Sequence, residues 1–120
     1  MEKTDLLKAI EYISTLEDGW NGYFAQKPSN LSIDAAKKFI SLLPKNKLNP
    51  NKISPGGERS VTLEWQMLGI NLLLNFDGDY IHFSREEKNR PTIFKDNIPF
   101  GFVKIPDKIM KLIPNTWELS

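Results

Sequence analysis

The run Val61-Thr62-Leu63-Glu64-Trp65-Gln66-Met67-Leu68-Gly69-Ile70-Asn71-Leu72-Leu73-Leu74-Asn75-Phe76-Asp77-Gly78-Asp79-Tyr80-Ile81-His82-Phe83-Ser84 holds the clearest structural pattern in the chain. Val61, Leu63 and Trp65 alternate with Thr62 and Glu64, and Ile70, Leu72, Leu74 and Phe76 alternate with Asn71, Leu73 and Asn75. A period of two is the mark of strands with one buried face. Asp77-Gly78 reads as a tight turn into a third strand, Tyr80 to Ser84, because glycine readily takes positive φ. A two-residue turn at Asp77-Gly78 sets Leu74 opposite Ile81 and Leu72 opposite Phe83. A four-residue loop from Gln66 to Gly69 sets Trp65 opposite Ile70 and Leu63 opposite Leu72. Both registers bring the large apolar residues to one face, so turn chemistry and pattern agree on an antiparallel meander. The opposite face then carries Thr62, Glu64, Asn71, Leu73, Asn75, Tyr80, His82 and Ser84.

Upstream, Leu6, Ala9, Ile10, Ile13 and Leu16 recur at helical spacing. Thr4 is the expected cap of this helix, Asp5 suits its positive end, and Gly19 is the expected stop. A second helix starts near Ser29 to Ser32, carries Ile33, Ala36, Phe39, Ile40 and Leu43 on one face, and ends at Pro44. From Pro44 to Gly57 the chain turns to Lys, Asn, Pro and Gly and reads as a connector, with an edge strand admitted at Lys52-Ile53-Ser54. Downstream of the charged loop Arg85 to Arg90, Thr92–Lys95 and Phe100–Ile105 are candidate strands. Pro91 and Pro99 keep both away from the centre of a sheet. Pro106-Asp107 opens a short helix that ends at Pro114, and Trp117 is positioned to dock the tail. The expected fold is therefore α+β, with two N-terminal helices packed on an antiparallel β-meander of three or more strands and a short C-terminal helix. Residues 1–120 are expected to form a single domain, since halves of that length bury too little apolar surface to fold separately.

Composition narrows the chemistry. A hydrophobic fraction of 40% with 26% charged residues is that of a folding chain. Sixteen Lys and Arg against fifteen Asp and Glu provide no overall field for gripping nucleic acid or anionic lipid. With no Cys, disulfides, Cys-ligated zinc, iron–sulfur clusters and thiol catalysis are excluded. The first residues lack a secretory apolar stretch, and Ile70–Phe76, the most apolar run, is far below the roughly 20 residues that span a bilayer. A cytoplasmic protein with no membrane contact is expected. Gly56-Gly57 lacks the rest of a phosphate loop, so neither nucleotide nor any other cofactor is implied, and no metal site is expected.

Three surfaces remain as candidates. Asp18-Gly19-Trp20-Asn21-Gly22-Tyr23-Phe24-Ala25-Gln26-Lys27-Pro28 links the helices with two glycines and three aromatics. Trp20 and Tyr23 are expected to plug the end of the core, and, compatibly with that, Trp20, Asn21, Tyr23 and Phe24 are candidates for a partner-binding loop. Lys37, Lys38, Lys45, Lys47 and Lys52 lie in a stretch rich in base, which reads as a solvated face or as a modest nucleic-acid patch. His82, the only histidine, shares its predicted face with Glu64 and Tyr80. A His–Glu pair offers acid–base chemistry of a small hydrolase or nuclease, but one histidine builds neither a multi-histidine metal site nor a triad with a second base.

The loop Gly19-Trp20-Asn21-Gly22-Tyr23, Pro28, the helix Ala35 to Leu43 and the strand Val61-Thr62-Leu63-Glu64-Trp65 resemble a group of small bacterial proteins with a Gly-Trp-Asp-Gly-Tyr-Gly-Ala-like loop and a downstream Leu-Glu-Trp strand. The resemblance spans roughly residues 6 to 83 and implies the architecture, with no activity to carry over. Asn21 stands where that pattern has Asp, and Phe24 where it has Gly. An Asn cannot act as a base, so a catalytic role for this position is not implied. The leading expectation is a small, non-catalytic interaction or regulatory module, antitoxin-like or phage-inhibitor-like, with a protein partner. Homodimerisation through the outer sheet face is a further expectation.

Overall fold

A computed structural model describes residues 2–67 and 69–119, the last two by their backbone. Two helices, α1 (Lys3–Ile13) and α2 (Asn30–Leu42), precede five strands: β1 (Lys52–Pro55), β2 (Val61–Met67), β3 (Ile70–Asp77), β4 (Tyr80–Glu87) and β5 (Ile93–Pro99). A short α3 (Asp107–Met110) and a 3₁₀ turn (Thr116–Leu119) follow. The strands form one antiparallel sheet in the order β1-β2-β3-β4-β5, an uninterrupted meander.

The strand alternation sorts the side chains as expected. Val61, Leu63, Trp65, Leu72, Leu74, Phe76, Ile81 and Phe83 are buried in the same core as Leu6, Ile10 and Ile13 of α1 and Ile33, Ala36, Phe39 and Ile40 of α2. Phe39 meets Phe76 edge-on with ring centroids 5.2 Å apart, and Phe100 completes the cluster at 6.0 Å and 6.4 Å. Ile105, Ile109 and Ile113 close the core from the C-terminal segment. The outer residues Thr62, Glu64, Asn71, Leu73, Asn75, His82 and Ser84 are half-buried, and Tyr80 is exposed.

Register is where sequence and structure part. Leu74 pairs with Phe83 and Phe76 with Ile81, and on the other side Trp65 pairs with Leu72 and Leu63 with Leu74. Both ladders are displaced by two residues from expectation. At β3–β4 the turn is Gly78-Asp79, closed by the pair Asp77–Tyr80, with Gly78 at φ 60°. Glycine at the first central position is the arrangement of a type II′ hairpin, whose twist matches that of the strands. At β2–β3 the ladder continues to Met67–Ile70, so the loop holds two residues rather than four. A displacement of two conserves the face of every side chain, which is why burial was legible while pairing was not.

The helices run antiparallel: the Lys3 ammonium donates to the Leu43 carbonyl at 2.6 Å, and Glu11 of α1 pairs with Lys37 of α2. Thr4 does not cap α1. Glu2 occupies the cap position, with no side-chain hydrogen bond, and Thr4 lies within the first turn. Nor does Gly19 end that helix, because the Ser14 and Thr15 hydroxyls donate to the carbonyls of Glu11 and Tyr12 and close it after Ile13. Ser29 caps α2 as expected, accepting the Ser32 amide at 3.1 Å. The buried Ser32 hydroxyl accepts the Gly78 amide at 2.8 Å and ties α2 to the β3–β4 turn. Phe100–Ile105 forms no strand. Phe102 takes φ 64°, and Phe100, Ile105 and the α3 residue Ile109 pack into the core from irregular chain and a single helical turn.

Candidate partner-binding loop

Residues 14–29 cross from α1 to α2 as a loop held by its own hydrogen bonds. Asn21 Oδ1 accepts the amides of Tyr23 at 2.9 Å and Ala25 at 3.4 Å. The Gly22 amide donates to Gly19 O at 2.8 Å, and the Gly19 amide to Ala25 O at 2.7 Å. Gly19 and Gly22 sit at φ 80° and 81°, a region costly for other residues, so this loop requires both. Asp18 Oδ1 accepts the Lys27 amide at 3.0 Å. The loop is also fastened to the β1–β2 connection: the Gln26 amide donates to Gly57 O and the Ser29 amide to Arg59 O.

That scaffold separates the three aromatics. Trp20 is half-buried, with its indole N–H donating to Gln26 O at 3.1 Å, so it braces the loop. Tyr23 does not plug the core, as one expectation had it. It is 79% exposed, and Phe24 beside it is 97% exposed. The backbone around them is held by Asn21 and the glycines, and both rings point into solvent. Asn21 therefore works as an acceptor of two amides. An Asp carboxylate would accept the same pair, so the residue needs no acid–base chemistry to explain it.

The five lysines have different settings. Lys37 is paired with Glu11, and Lys47 donates to Ile113 O at 3.0 Å. Lys38 and Lys45 are exposed on α2 and the connector, while Lys52 stands on β1 opposite Glu64. Lys45 and Lys47 line a cavity of about 490 Å³ that also reaches Trp65 and Asn51. A different pair meets at Lys95 and Lys108, where a hydrogen bond with Lys108 and the repulsion of its charge hold the Lys95 pKa below the usual lysine value.

His82 has other neighbours than expected. Glu64 belongs to the row Lys52–Glu64–Leu73–Ser84, and His82 to the adjoining row through Asn75 and Thr62. The groups in reach of the imidazole are Asp77, with Oδ2 3.4 Å from Nε2, the Asn97 amide, 2.9 Å from Nδ1, and Asp96, with Oδ1 3.7 Å from Nδ1. Beside it Asn75 Nδ2 donates to Ser60 Oγ at 2.9 Å and to Thr62 Oγ1 at 3.0 Å. Gly56, Gly57, Glu58, Ser60, Asn75, Asp77 and His82 line an open cavity of about 420 Å³. Only the strand register could have announced it, since Asn75 and His82 come together by pairing across β3 and β4, and Ser60, just before β2, joins them through the Asn75 side chain. Among the described residues no group of three or more His, Asp or Glu side chains is placed to hold a metal ion. No helix among them is long and apolar enough to cross a membrane. Comparison of the chain with family models, with curated proteins and with solved structures gives no match.

Proposed function

We propose that the chain is a non-catalytic cytoplasmic interaction module, of the antitoxin or phage-inhibitor kind, which docks a protein partner through Tyr23 and Phe24. The observation that carries this reading is the 97% exposure of Phe24 next to the 79% exposure of Tyr23, on a loop whose backbone is already pinned. Burying one such ring is worth about 1.5–3 kcal/mol, which the fold forgoes here and a partner recovers. Because the loop is fixed before binding, little ordering entropy opposes the contact. Trp20 and Asn21 serve by holding the loop's shape. The lysine stretch supports a nucleic-acid surface less well, since Lys37 and Lys47 are already engaged within the chain. Likewise His82 lacks the Glu64 contact that a hydrolytic pair requires.

The test is a tagged pull-down from the native host, followed by titration of the purified partner against the wild type and against Tyr23→Ala/Phe24→Ala. The double variant is expected to melt like the wild type and to bind about 30-fold more weakly or worse, the loss expected of a ~2 kcal/mol hot spot. Undiminished binding by a folded double variant overturns the assignment of the loop. Recovery of nucleic acid in place of a protein overturns the class of partner.

A further inference from the structure

The β4–β5 ladder contains an irregularity that His82 resolves. Ile81 pairs with Ile98 and Phe83 with Lys95, so one residue of β4, His82, faces two of β5, Asp96 and Asn97. Two residues against one is a β-bulge, in which the extra residue leaves the ladder. Asn97 takes φ 58°, a left-handed conformation that Asn tolerates better than most residues. Its amide donates to the imidazole of His82, with N to Nδ1 at 2.9 Å. A side chain thus supplies the acceptor that the bulge removes from the backbone.

In a neutral ring this hydrogen bond selects the tautomer. A backbone N–H only donates, so Nδ1 must be bare, and the single hydrogen of a neutral imidazole lies on Nε2, facing Asp77 Oδ2 at 3.4 Å. The charged groups facing the ring from the elements around it are carboxylates: Asp77 from β3, Asp96 from β5 with Oδ1 3.7 Å from Nδ1, and Glu58 across the cavity. Tyr80 lies two residues away on the same face of β4, while Lys95, paired with Phe83, belongs to the opposite face. We propose that His82 is a protonation-dependent latch on the β5 edge strand: neutral, it holds the Asn97 amide, and protonated by solvent at Nδ1, it donates to Asp96 and releases that amide. Both N–H groups of the imidazolium then have a carboxylate acceptor, and the bulge amide has none. The strand so loosened is one of the two edge strands of the sheet and carries the exposed Ile93 and Phe94, so acidification acts on that edge.

The experiment uses the full ¹⁵N-labelled chain. Long-range ¹H–¹⁵N spectra at about pH 8 are expected to show the Nε2–H form of His82, and between about pH 8 and about pH 5, the range in which histidine switches charge, the Asn97 amide resonance is expected to move in step with the ring. Its hydrogen-exchange protection, corrected for intrinsic rate, is expected to fall about tenfold over the same range, the equivalent of one hydrogen bond. In His82→Asn, where Oδ1 stands in for Nδ1 but does not titrate, the amide should stay put. An Nδ1–H form in the wild type, or an Asn97 resonance that ignores the imidazole titration, overturns the proposal without recourse to any variant. A pH response that persists in folded His82→Asn overturns it as well.

Discussion

Phe39, Phe76, Phe100 and Trp65 are at most 2% exposed, whereas Tyr23 and Phe24, of the same chemical class, stand almost wholly in solvent. The difference lies in what sets the direction of each side chain. Phe76 and Trp65 sit on strands, where alternate residues must point to one face, and that face is covered by the helices. Tyr23 and Phe24 sit where Asn21 and two glycines dictate the backbone by local hydrogen bonds, with no packing demand upon them. Trp20 lies between the two cases: its ring covers the loop and its N–H is bound to Gln26 O, much as the buried Trp65 N–H is bound to Leu48 O. On the strands, burial therefore follows from the backbone pattern, and the aromatics of the loop, which no such pattern turns inward, are available for something else.

The sharpest way to break that contrast is to remove a ring from each side and compare the stability lost. Phe76→Ala deletes the ring that meets both Phe39 and Phe100 edge-on and leaves a cavity in the core. It is expected to lower unfolding free energy by about 3–5 kcal/mol in urea denaturation. The scaffold of the loop gives the intermediate case. Asn21→Ala strips the acceptor from the Tyr23 and Ala25 amides and is expected to cost about 1 kcal/mol, while Asn21→Asp, which keeps an acceptor, should remain within about 0.5 kcal/mol of the wild type. Equal losses for the two Asn21 variants would mean that the loop is not held by that oxygen.

The inner face of the sheet was legible because a period of two survives any even slip in pairing, and both hairpins slipped by two. Turn identity was the weak point. Asp77-Gly78-Asp79 admits two placements of a two-residue turn, and only the backbone, with Gly78 at the first central position, distinguishes them. The C-terminal part was harder for another reason. Phe100 and Ile105 reach the core from irregular chain and Ile109 from a single helical turn, none of which has a period to read. At the candidate loop the residues were legible, and so were the plug and docking readings, but the exposure of Tyr23 was not. The hydrogen bonds from Gln26 to Gly57 and from Ser29 to Arg59 that fix the loop's attitude join residues about thirty apart. His82 was placed on the correct face yet given the wrong neighbour, since Asp96 and Asn97 face it only through a bulge that no sequence period announces.

The smallest effect completes the comparison. Phe24→Ser removes a larger apolar surface than many core substitutions do, but at 97% exposure the ring contributes almost nothing to the folded state that it does not also contribute to the unfolded one. Its unfolding free energy is expected to stay within about 0.5 kcal/mol of the wild type, and by removing exposed apolar area it should also raise solubility. A loss above about 1 kcal/mol in the same denaturation experiment would show that Phe24 packs in solution, and the argument from its exposure would fail with it. An unchanged stability leaves a bulky apolar ring held in water by a well-ordered loop, and that is a cost to solubility which a docking role accounts for and a packing role does not.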